Sequence, residues 1–83
     1  MEGFLVHVPE TESRSAAAEL KQLGSVIKLS TDLFAVRTDT SAQALLQRLA
    51  AAMPKGAPVL VARTNGAYFH GDPGLAGAAK LLA

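Results

Sequence analysis

Two segments with helical apolar spacing, each ended by glycine or proline, are set among four short runs of strand composition, in the order strand, helix, strand, strand, helix, strand. That order points to a sheet with helices laid on it rather than to a bundle or a barrel. The first run, Gly3 to Val8, is stopped by Pro9, which has no amide to give to a ladder. Thr11 and Ser13 then offer helix caps, Ala16, Leu20 and Leu23 recur at helical spacing, and Gly24 is placed as a stop, which predicts a helix over about 12–23. Val26 to Leu29 and Leu33 to Thr38 flank the turn formers Ser30, Thr31 and Asp32 and are predicted to pair as a hairpin. Thr40 and Gln43 have capping-box spacing before Ala42, Leu45, Leu46, Leu49 and Met53, a second helix that Pro54 and Gly56 end. Val59 to Arg63 reads as a buried fourth strand, Asn65-Gly66 as a hairpin turn into a short fifth strand of Ala67 to His70, and Asp72-Pro73 as the start of a helix over 75–82.

The expected architecture is α+β: a single ferredoxin-like βαββαβ domain over residues 1–83, with an antiparallel sheet, two helices on one face, and a short extra C-terminal strand and helix. In that arrangement strands one and three are central. Strand alternation sends Phe4, Val6, Val8, Phe34, Val36 and Thr38 to the helices and leaves Leu5, Leu33 and Ala35 beside His7 and Arg37 on the other face. Such a face is too apolar for solvent and too polar for a core, and aromatic residues make up only 5% of the chain, so extra burial is valuable. A homodimer is therefore expected, with Leu5, Leu33, Ala35, Tyr68 and Phe69 at its interface.

Composition mainly excludes. A chain without cysteine has no disulfide framework, thiolate metal site or cysteine nucleophile, which fits the cytoplasm. A net charge of +1 gives no general pull towards nucleic acid or membrane, and no run approaches a membrane span or a signal peptide. The glycines form neither a phosphate loop nor a dinucleotide fingerprint, so no cofactor is expected.

The stretch from Leu20 to His70 resembles the small dimeric CRISPR-associated protein of the spacer-acquisition complex and its relatives in the virulence-associated protein D group. The resemblance is carried by Leu20-Lys21-Gln22-Leu23-Gly24, by Leu29 to Thr38, by Ser41-Ala42-Gln43 at a helix start, by Val59 to Arg63, and by Ala67-Tyr68-Phe69-His70-Gly71. It implies a ferredoxin-like protomer, a homodimer, and a fifth strand that packs on or crosses to the partner. Members that cut nucleic acid carry an aspartate at the end of strand one, where the two copies hold a divalent metal. Here that region reads Leu5-Val6-His7-Val8-Pro9-Glu10, with no aspartate. The resemblance thus implies the fold and the dimer while the nuclease centre is missing, and the expected function is a homodimeric binding or regulatory module with weak nucleic-acid contact. The alternative is a divalent-metal endonuclease that uses other acids, such as Glu10 or Asp32. A third reading is an assembly subunit that binds a protein partner through the open sheet face.

The residues with chemistry to offer are few. His7 is a candidate ligand or base in place of the lost aspartate, against the plainer reading of an interface or surface histidine. His70 and Asp72 are too few for a metal, and Asp72 before Pro73 reads as a cap. Arg37 and Arg63, ending strands three and four, are expected at one end of the sheet as a small anion-binding patch for a phosphate backbone, against the plainer reading of solvated or paired strand ends. No serine sits in a nucleophile-elbow pattern, so no catalytic residue and no metal ligand is assigned.

Overall fold

The computed structural model describes residues 2–68 and 70–83 of the 83. Its elements are β1 (Glu2–His7), a 3-10 turn (Glu10–Glu12), α1 (Ser13–Leu23), β2 (Gly24–Ser30), β3 (Leu33–Thr38), α2 (Ala42–Ala51), β4 (Leu60–Arg63) and α3 (Leu75–Leu82). The sheet is antiparallel throughout, in the order β2-β3-β1-β4, so β1 and β3 are central and β2 and β4 are edges. No helix among the described residues is long and apolar enough to cross a membrane.

Strand alternation divides the interior into two parts. Phe4, Val6, Val8, Phe34 and Val36 point to one face and are buried against Ala16 and Leu20 of α1, Leu45 and Leu49 of α2, and Met53 beyond it. The opposite face, expected to stand open, is covered by α3. Ala35 packs there with Ala78 and Leu82, flanked by the half-buried Leu5, Ile27, Leu29 and Leu81. The chain is thus a three-layer structure that supplies its own second cover, because α3 is apolar on one side and the loop after β4 is long enough to bring it back across the sheet.

Two glycines make the close approaches possible. A side chain at Gly3 would meet the Leu81 carbonyl, the Leu82 Cα at 2.8 Å and the Thr64 hydroxyl at 2.9 Å, so β1 and the end of α3 touch only because Gly3 has no Cβ. Gly24, the expected helix stop, is also the first residue of β2, with an extended backbone (φ 172°) pressed against the Arg37 carbonyl.

Local expectations differ at four places. Thr11 and Ser13 do not cap α1: the chain enters it through the 3-10 turn, and Ser13 is its first residue. Ser41 rather than Thr40 caps α2, accepting the Ala44 amide, because Thr40 is tied back to the Thr38 hydroxyl. The apolar run 59–63 is half-covered rather than well buried: Val59 and Val61 pack against the core, while Leu60 and Ala62 are exposed on the edge strand 60–63, since only β1 pairs with it. Ala67 and Tyr68 form no strand, and Phe69 lies outside the described residues.

Candidate functional site

The two ends of the sheet gather most of the polar side chains singled out in the sequence. At one end, His7 closes β1 and Asp32 sits in the turn between β2 and β3. His7 Nε2 lies 3.1 Å from Asp32 Oδ2, and the Ser30 hydroxyl donates to Asp32 Oδ1 at 2.7 Å. The Ser30 hydroxyl and then the His7 contact hold the Asp32 carboxyl below its ordinary value. With that sign the tie stabilises the turn above the ordinary aspartate range and is lost as pH falls through the lowered value. The order of contacts decides the chemistry. Ser30 is bonded to the carboxylate and not to the imidazole, so His7 is not placed to take its proton, and the trio is a turn clasp rather than a nucleophile with its base. Glu10, the other acid considered, is exposed in the 3-10 turn, and no three His, Asp or Glu among the described residues gather as metal ligands. Asp72 Oδ1 accepts the Gly74 amide at 2.9 Å in the turn ahead of α3, so it is not the helix cap expected of it; Gly74 holds that position without a side-chain capping bond, and His70 is exposed.

At the other end are Arg37 and Arg63. Arg37 is opposite Gly3 and Arg63 opposite Phe4, successive positions on β1 that face opposite sides of the sheet. The two arginines share an end of the sheet but not a face, and each is engaged. Arg63 pairs with Glu2 at 2.8 Å. Arg37 donates to the Ala83 carbonyl at 3.0 Å and the Leu81 carbonyl at 3.5 Å, while Leu82 O accepts from the Thr64 hydroxyl at 2.8 Å and the Gly66 amide at 3.2 Å. The single anion patch expected of Arg37 and Arg63 is therefore not formed; Arg37 serves the negative end of α3, where a cation and donors satisfy carbonyls that a helix leaves unpaired.

Arg37→Gln is expected to cost about 1 to 2 kcal/mol, the net worth of charged hydrogen bonds at a half-buried helix end. A thermal melt beside the parent checks it, and an unchanged Tm would mean that the contact does not hold α3.

No family model, curated protein or solved structure matches this chain. The functional reading therefore stands on surface and geometry.

The residues expected at a dimer interface fare unequally. Ala35 is fully buried beneath α3, and Leu5 and Leu33 are half-covered, so the open sheet face that led to them does not exist in the single chain. Tyr68 is wholly exposed at the rim of an apolar cleft of about 430 Å³ that it shares with Leu5, Leu33 and Leu75. Sequence reasoning found β4 but took it for a buried strand and so missed its exposed edge. Leu60 is 63% exposed, and Ala62, on the same face, is exposed beside Leu5, its cross-strand partner. The signal was present: if strands one and three are central in a four-strand sheet of this order, strand four is an edge.

Proposed function

We propose that this chain is a ferredoxin-like binding module that works as a homodimer joined along β4, and that it has no nuclease centre. The single observation that carries the dimer is an apolar strand left at a sheet edge with Leu60 63% exposed. Edge strands offer a row of unpaired amides and carbonyls, and natural chains shield them with charge, proline or a covering element. Here Val59, Leu60, Val61 and Ala62 bring no charge before Arg63. A second copy supplies the missing strand, with main-chain bonds and the burial of Leu60 as its reward.

The succession of elements and the strand order β2-β3-β1-β4 support the fold reading. The kinship with the CRISPR-associated family belongs to the same proposal and rests on the segments quoted above. Its non-catalytic half is supported by His7 where the cutting members have aspartate, and by an Asp32 already committed to Ser30 and His7. Arg37 and Arg63 carry no part of the proposal.

Sedimentation velocity from micromolar to millimolar concentration tests the dimer, and a parent that remains a monomer throughout sinks it. A cleavage assay on RNA and DNA with Mg²⁺ or Mn²⁺ tests the other half. No cutting is expected, and metal-dependent cutting that is lost in Asp32→Ala or Glu10→Ala would overturn it.

A further inference from the structure

On the opposite edge from β4, the start of α1 and the turn between β2 and β3 enclose an open cleft of about 670 Å³, within the range of small-molecule sites. Its lining includes Ser13, Arg14 and Ser15 from α1, Lys28 and Thr31 from the hairpin, and Glu10 from the 3-10 turn. The charges there are unspent. Among the described residues the ion pairs are His7–Asp32, Arg48–Glu19 and Arg63–Glu2, so neither Arg14 nor Lys28 has an acidic partner.

Ser13 is the unusual member. It is 92% buried (8% exposed), and its hydroxyl has no hydrogen-bond partner. A buried hydroxyl without a partner costs free energy, so such a group is commonly retained for something that completes it. The Glu12 and Ser13 amides are already taken by the Pro9 and Glu10 carbonyls, and Ser13, Arg14, Ser15, Lys28 and Thr31 bring side-chain donors to the lining of the cleft. Two cations and the serine and threonine hydroxyls all give hydrogen bonds, at the positive end of an 11-residue helix. That set matches a phosphate, a dianion with oxygen acceptors on every side. Glu10 is the single group in the set that can only accept, and it suits a ligand hydroxyl.

From this cleft we infer that the protein binds a phosphomonoester of a hydroxylated small molecule, of the sugar-phosphate class. Ser13, Arg14 and Lys28 hold the phosphate, and Glu10 takes a hydroxyl of the organic part. The inference is independent of the β4 dimer, since it involves the other sheet edge and is read from different signals.

The test is an amide-shift titration of the full chain by NMR at constant ionic strength, with inorganic phosphate, ribose 5-phosphate and ribose as probes. Saturable shifts confined to 10–17 and 28–31 are expected with both phosphates, tighter for ribose 5-phosphate, and none with ribose. Lys28→Gln, at an exposed position, should weaken phosphate binding at least tenfold with an unchanged melting curve. Ser13→Ala should weaken it too, although removing an unpartnered hydroxyl does not itself harm folding. Glu10→Gln should abolish the preference for ribose 5-phosphate over inorganic phosphate. No saturable shift up to millimolar phosphate, or equal affinity in the parent, Lys28→Gln and Ser13→Ala, would overturn the inference.

Discussion

Gly3→Ala is expected to lower the melting temperature by roughly 5 to 20 °C, which is the opposite of what strand propensity alone dictates. Glycine inside a strand costs about 0.5 to 1 kcal/mol relative to alanine, so the substitution would stabilise an isolated β1 by that amount. The added Cβ, however, would stand against the Leu81 carbonyl, 2.8 Å from the Leu82 Cα and 2.9 Å from the Thr64 hydroxyl. Two of those three atoms are backbone and cannot swing aside. Overpacking of this kind costs about 1 to 3 kcal/mol, enough to reverse the sign. Relief comes only by lifting the end of α3, which also pulls Leu81 O and Ala83 O from Arg37 and Leu82 O from Thr64 and Gly66. For a domain of this size, with a total stability of roughly 4 to 12 kcal/mol, that is a large share. The check is calorimetry of Gly3→Ala, Leu82→Ala and the double variant. Neighbours that share one contact give non-additive costs, so the double variant should lose less than the two singles together. A Tm that rises in Gly3→Ala would show that α3 does not sit on β1.

The division between what the sequence disclosed and what it withheld follows from range. Alternation along β1 and β3 named the buried Phe4, Val6, Val8, Phe34 and Val36, since a period of two is a local property. The spacing of Leu45 and Leu49 gave α2 in the same way. Gly24 was legible as a stop, though not as the first residue of β2, because that depends on how closely the Arg37 carbonyl approaches it. The place of α3 was withheld: an eight-residue helix, half of it alanine and glycine, has no local sign of which surface its leucines will cover. Everything that hinged on it moved as well. Arg37, read as an anion contact, is spent on α3, and Ala35, read as interface, is buried under it. Ser13 looked like a cap from its residue type, yet the 3-10 turn ahead of α1 shifted it one step inward, to a buried place with no partner.

Leu60→Asp is expected to convert the dimer to monomer at concentrations where the parent is paired, a shift of at least a hundredfold in the dissociation constant. A two-fold axis normal to the sheet sets the β4 strands of two copies antiparallel, with each face continuous across the join. Centred on Val61, this places Leu60 opposite Ala62 of the second copy and Arg63 opposite Val59; centred on Ala62, Arg63 meets Val61. In neither register does Arg63 oppose itself, so the edge carries no like-charge veto. Burying a leucine contributes about 1.5 to 3 kcal/mol, twice over in a symmetric pair, with main-chain bonds at about 0.5 to 1.5 kcal/mol each. Against an association cost of about 4 kcal/mol or more, this leaves a surplus of a few kcal/mol and a weak dimer, with a dissociation constant of roughly millimolar order. Aspartate at position 60 removes the apolar gain on both copies and leaves a carboxylate to be desolvated on each, which the small surplus cannot absorb. The matched control is Leu46→Asp on α2, also an exposed leucine (39%) but away from β4, which should leave the dimer intact. Sedimentation of the three chains at several concentrations separates the outcomes: a Leu60→Asp chain that stays dimeric, or a Leu46→Asp chain that falls apart in its place, assigns the interface to another surface.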